Sequence, residues 1–111
     1  MSENLKRTIP IINSLLRTKD AKLRRTLFNK HKARITRAMR EIAFNMLQGR
    51  LKLDKRKQRN LKRYKTKLRQ LAQGKAVKSV VLAKKGKGIP AIGAALLKWV
   101  LPSVIGYFAA K

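Results

Sequence analysis

The sequence predicts an all-α fold: a small bundle of short amphipathic helices with a long basic helix and an apolar C-terminal helix. Three observations lead there. Apolar residues recur at three- and four-residue steps through most of the chain. Residues that start and stop helices sit at the ends of those runs. No pair of alternating segments is joined by an Asn-Gly or Gly-rich hairpin signal.

Leu5, Ile9, Ile12 and Leu16 mark one face of a first helix, with Thr8 read as its cap and Pro10 in its first turn. Thr18 is read as the cap of a second helix, with Asp20 favourably placed at its N-terminus and Leu23 and Leu27 one turn apart. Ile35, Met39, Ile42 and Met46 line a third, widened by Ala38, Ala43 and Leu47 and stopped by Gly49. It is the best candidate for the centre of the core. Asp54 caps a fourth that runs to about Gln73 and ends at Gly74, with Leu61, Tyr64, Leu68 and Leu71 as its apolar stripe. Val77 to Lys85 suits a strand as well as a short helix, and helix is preferred because no second strand is there to pair with it.

Charge sets the function class. The 111 residues include 30 Lys and Arg against 4 Asp and Glu, a formal charge of +26, with one histidine and no cysteine. Glu3, Asp20, Glu41, Asp54 and His31 are too few and too scattered for acid-base pairs or a metal site. The expectation is a protein that is not an enzyme and uses no cofactor or metal. His31, within NKHKAR, reads as a surface or helix-junction residue. Without cysteine there is no disulfide framework, and the redox compartment stays open. Met1 to Arg17 reads as a helix rather than an export signal, since it lacks an unbroken apolar stretch with a small-residue cleavage site.

The charge is unevenly spread. Residues 1 to 88 carry 28 of the basic residues and all four acids, a net +24, and the rest of the chain adds only Lys98 and Lys111. Four segments follow: a helical N-terminal segment of about three helices (1–48), a basic helical region (49–85), a Gly hinge (86–88) and an apolar tail (89–111). The basic region holds Lys55, Arg56, Lys57, Arg59, Lys62, Arg63, Lys65, Lys67 and Arg69 on one helix, then Lys75, Lys78, Lys84, Lys85 and Lys87.

Like charges three and four residues apart on a helix repel by a few tenths of a kcal/mol per pair, so this spacing is favourable only against a polyanion. Duplex DNA carries one charge per about 1.7 Å, so +24 matches about 40 Å of duplex, on the order of a dozen base pairs. That is the charge of a packaging protein rather than a base reader. Zinc-finger, homeodomain and bZIP patterns are absent from the sequence. Phe28, Phe44 and Tyr64 fall on or beside core stripes and are expected in the core rather than under bases.

From Ile89 to Ala110 the chain has 22 residues, 16 of them apolar. As a helix this segment would be about 33 Å long, enough for a bilayer core of about 30 Å. Its nine Leu, Ile, Val and Phe residues favour insertion by about 0.3–0.6 kcal/mol each, while Lys98 near the middle costs about 2.5–3.5, with a kink from Pro102 in addition. Insertion is therefore marginal. Contact with a membrane surface or a capsid protein is expected through Ile92, Leu96, Trp99, Val100, Tyr107 and Phe108, in preference to burial under the short helices.

The order of basic helical region, Gly hinge and apolar Pro-containing tail (GKGIPAIGAALLKWVLPSVIGYF) resembles the small virion core protein X, or mu, of adenoviruses. Asn45 to Lys78 extends the similarity to adintovirus and Polinton (Maverick) relatives, most specifically in LKRYKTKLRQLA, Leu61 to Ala72. The resemblance covers about the C-terminal two thirds of the chain. It implies a virion protein that condenses double-stranded DNA, located in the virion core and in the host nucleus during assembly. Adenoviral core precursors are cut at a hydrophobic-x-Gly-x-Gly or hydrophobic-x-Gly-Gly site; at the corresponding Lys84 to Gly88 the hydrophobic position is Lys84, a departure. Residues 1–48 go beyond the short adenoviral protein.

The expected function is sequence-independent binding and condensation of double-stranded DNA by phosphate neutralisation, with the tail on capsid or membrane. Two rival classes fit the same composition. One is a membrane-active or tail-anchored cationic protein; the other is an RNA-binding protein of ribosomal type.

Overall fold

The structure is a computed structural model that describes residues 1–51, 53–75, 77–81 and 95–110. It is all-α. The helices are α1 (Glu3–Arg17), α2 (Ala21–Lys30), α3 (Lys32–Leu47), α4 (Lys55–Leu61), α5 (Lys65–Ala72), α6 (Val77–Val81) and α7 (Leu101–Ala109). A 3-10 turn, Lys62–Tyr64, joins α4 to α5, and a π-helical turn, Leu96–Val100, leads into α7. The Gly hinge 86–88, Lys84, Lys85, Lys87, Ile92 and the first six residues of the tail lie outside the described residues.

α3 is the central helix, as its stripe predicts. Ile35, Ala38, Met39, Ile42 and Ala43 are all buried on it. Its principal neighbours are α5 on one side and α1 on the other, and α1 in turn packs against the π turn and α7. The resulting order is α5, α3, α1, tail. One cluster of buried side chains runs through it, from Leu68 and Leu71 by way of Ile42 and Ile12 to Val100 and Val104. α2 packs on α1, α3 and α6, where Phe28, Val77 and Val80 are buried. The Cα radius of gyration is 12.9 Å, close to the ~13 Å expected of a compact chain of this length.

Helix ends explain most of the boundaries. Asp20 caps α2, accepting from the Lys22 and Leu23 N–H groups at 2.9 and 3.5 Å. Asp54 caps α4 by accepting from the Lys57 N–H at 2.8 Å. α3 and α5 end alike, with Gly49 at φ 70° and Gly74 at φ 78°. At the first, Gly49 N–H donates to Met46 O and Arg50 N–H to Asn45 O; at the second, Gly74 N–H donates to Leu71 O and Lys75 N–H to Gln70 O. Both are complete Schellman motifs, which need a left-handed residue where glycine stands.

Two cap assignments are corrected. α1 begins at Glu3, with Ser2 Oγ accepting from Leu5 N–H at 3.1 Å, so Thr8 is not its cap. Thr8 is fully buried inside the helix, its hydroxyl donating to Asn4 O at 2.6 Å, and Pro10 lies in the helix interior. The chain extends the helix by more than a turn because Leu5 then joins the core. Thr18 closes α1 rather than opening α2, its N–H and hydroxyl both donating to Ser14 O.

The long basic helix has a break in it. The 3-10 turn at Lys62–Tyr64 falls where Arg59, Lys62, Arg63 and Lys65 repel one another at helical spacing. In the tail, Pro102 has no N–H for Lys98 O and its ring would crowd that carbonyl. The preceding turn widens in response, with Leu101 N–H donating to Leu96 O, five residues back.

Candidate nucleic-acid interface

The basic face follows from how α4 and α5 are anchored. Leu61, Leu68 and Leu71 are buried against the core, so the other sides of both helices face outward. Lys55, Arg56, Arg59, Lys62, Arg63, Lys65 and Arg69 are exposed, and Lys57 and Lys67 are half-buried. Beyond Gly74, Lys75 and Lys78 are exposed as well.

Sequence reading confined the interface to this region, and the structure shows more exposed cations outside it. Lys22, Arg25 and Lys30 on α2, Lys32, Arg34, Arg37 and Arg40 on α3, and Arg50 after it all reach solvent. A count of basic residues per helix would have found them, since residues 1–48 carry twelve.

The four carboxylates are each engaged at or near a helix N-terminus. Asp20 and Asp54 are N-caps. Glu3 lies in the first turn of α1 and pairs with Arg7 at 3.5 Å, both side chains well exposed. Glu41 reaches from α3 to Ser2, accepting its N–H at 2.6 Å and its hydroxyl. Four such groups leave nearly all of thirty cations without an acidic counter-charge within the chain.

Nothing in the protein-family models, curated proteins or solved structures compared with this chain matches it.

The aromatic residues divide. Phe28 is core and Tyr64 is half-buried, as expected, but Phe44 is 47% exposed on the outer side of α3. The Arg50 guanidinium lies over its ring, 5.8 Å from the centroid. Its core expectation is therefore corrected. Phe44 follows Ile42 and Ala43 in the sequence, but the turn of the helix carries it to the side opposite Ile35 and Ile42. Near it, a cleft of about 460 Å³ between the end of α3 and the α4–α5 pair is lined by Met46, Leu47, Leu51, Leu53, Leu61 and Leu68, with Lys62 and Lys65 also on its wall.

Over its described residues, 95–110, the tail packs one face into the fold. Leu96 and Val100, expected on a membrane or capsid, are buried, as are Leu101 and Val104. The reason is α1, whose apolar face offers a partner that the short-helix estimate undervalued. Trp99, Tyr107 and Phe108 are half-buried, with the last two rings edge to face at 5.2 Å. Among the described residues no helix is long and apolar enough to cross a membrane.

His31 sits at the α2–α3 junction, its N–H donating to Leu27 O and Phe28 O and its carbonyl accepting from Ile35 N–H. Among the described residues no three His, Asp or Glu side chains are grouped as metal ligands would be.

Proposed function

We propose that this protein binds double-stranded DNA without sequence preference and condenses it by phosphate neutralisation, as a virion core protein would. The observation that carries the reading is the disposition of charge: the carboxylates are engaged at helix starts, while most of the cations of α2 to α5 are exposed. Such a surface repels itself, and a polyanion relieves the repulsion. DNA supplies phosphates at the required density. In this reading Lys55, Arg56, Lys57, Arg59, Lys62, Arg63, Lys65, Lys67, Arg69, Lys75 and Lys78 contact phosphate together with the arginines of α3. The similarity to adenoviral protein X and its adintovirus and Polinton relatives supports the same function, with capsid protein or membrane as a second partner of the tail.

Association of the full chain with long duplex DNA tests this. Affinity should fall steeply from about 50 to 500 mM salt, and single DNA molecules should shorten at low salt. Binding that is indifferent to salt would sink the proposal. Preference for duplex RNA over duplex DNA in competition would favour the ribosomal class, and leakage of anionic vesicles without DNA compaction would favour the membrane-active one.

A further inference from the structure

Phe44 and Leu47 stand out on the surface of α3. They lie one turn apart, 47% and 37% exposed. On the same outward side, Arg37 and Arg40 precede them on the helix, and Arg50 follows with its guanidinium over the Phe44 ring. The Arg40 stem lies against Gly74 at the end of α5, since a Cβ there would sit 3.1 Å from Arg40 Cδ. Glu41, the one carboxylate of α3, is turned away to Ser2. The result is two apolar side chains framed by three arginines.

A single exposed apolar side chain needs no explanation, and phosphate neutralisation alone needs none to be apolar. A pair inside a cationic frame has a use on a duplex. Apolar side chains inserted between base steps from the minor groove unstack them and bend the helix, while flanking arginines hold the phosphates. We infer that Phe44 and Leu47 form a wedge that enters the minor groove of double-stranded DNA and opens a base step, with Arg37, Arg40 and Arg50 on the adjoining phosphates. This rests on the DNA-binding reading above and adds bending to neutralisation.

The dimensions decide how much of α3 can enter. An α-helix with its side chains is about 10–12 Å across, whereas the minor groove of B-DNA is about 6 Å wide. α3 therefore cannot lie in an undeformed groove, and only its protruding side chains reach the bases unless the groove opens. Bending in turn brings further duplex toward the cations of α2 and α4–α5.

Full-length protein with Phe44→Ala or Phe44→Leu tests the wedge on three probes: a short duplex labelled at both ends for energy transfer, the same duplex titrated at several salt concentrations, and inorganic polyphosphate, which has no bases. The native protein should bring the duplex ends together. Phe44→Ala should lose that signal and bind DNA about tenfold more weakly, with a flatter salt slope because the phosphates that bending brings to α2 and α4–α5 are no longer reached. Phe44→Leu, still apolar, should retain part of the bend. Polyphosphate binding should not change.

If Phe44→Ala bends and binds DNA as the native chain does, the wedge is refuted and the DNA-binding reading survives. Equal losses on DNA and polyphosphate also refute it, since the ring would then support the fold rather than the bases. If the native chain fails to bind DNA at low salt, both readings fall together.

Discussion

Glu41, in the middle of α3, accepts hydrogen bonds from both the N–H and the hydroxyl of Ser2, fastening the start of α1 to the central helix. The same Ser2 hydroxyl accepts from Leu5 N–H, so one side chain caps α1 and carries the tie. Glu41→Ala should free the first turn of α1 and lower stability by about 1 kcal/mol, because hydrogen bonds to a charged acceptor near solvent are worth less than buried ones. In a chain of this size that is a fall in Tm of roughly 4–8 °C. Ser2→Ala removes the cap and the hydroxyl bond but leaves its N–H donating to Glu41, so it should cost a similar amount. The double substitution should cost more than either yet less than their sum, the shared hydroxyl bond being counted once. Additive losses would mean that the two residues stabilise the fold separately.

Tail burial should appear as an asymmetry between neighbouring positions. Leu101 is 1% exposed and Ile105, one turn on, is 47% exposed. Leu101→Ala should cost about 2–4 kcal/mol in a urea melt, and Ile105→Ala within about 0.5. Equal small effects at both would mean that the tail leaves the body in solution. Deleting the tail would uncover the face of α1 as well, since Val100, Leu101 and Val104 belong to the same buried cluster.

What the sequence made legible was local. Asp54, Gly49 and Gly74 act within four or five residues of themselves, and the Ile35, Met39, Ile42 stripe is a periodicity inside one helix. The start of α1 was not legible, because Ser2 is fixed by Glu41, 39 residues away, and Leu5 by a core that many segments build. The hydropathy of Leu96 and Val100 showed that they needed cover but not which surface would supply it. Phe44 was legible too, since helical periodicity sets it nearly opposite Ile35 and Ile42, and its place beside Ile42 and Ala43 in the sequence was the wrong guide. The cations of α2 and α3 were legible as charge, but that so many of them reach solvent depends on how those helices pack.

The two helix-ending glycines should respond differently to a methyl group. Both hold positive φ, so alanine at either incurs the left-handed penalty of about 1–2 kcal/mol. At Gly49 the added Cβ meets nothing within 4 Å, while at Gly74 it meets Arg40 Cδ at 3.1 Å. Gly74→Ala should therefore be the more damaging in thermal melts. Arg40→Ala should remove the difference between them, which identifies Arg40 as its cause.

Self-repulsion should make the free protein more stable as salt is added. The Debye length falls from about 30 Å at 0.01 M to about 10 Å at 0.1 M, below the 35 Å longest extent of the molecule, so screening relieves cation pairs across the surface. Tm should rise over that range, against the small effect expected of a protein with balanced charge. At low salt, duplex DNA should raise Tm further by binding the folded state. A Tm independent of salt would remove the argument that the charge seeks a polyanion.

Phosphate contacts by α4 and α5 should be countable. Lys62, Lys65 and Arg69 are exposed on successive turns and carry no core packing that substitution would disturb. Each phosphate neutralised contributes about 0.9 to the slope of log affinity against log salt, so changing all three to Gln should flatten the slope by about 2.7 if each binds one. The loss of affinity should be similar for duplexes of any sequence, since phosphate contacts carry no base information. Gln in place of Lys6, Arg7 and Lys98, which lie on α1 and the tail, should change the slope much less, because these elements stand at the other end of the order that begins with α5. Equal flattening by both triplets would mean that DNA wraps the molecule without regard to face.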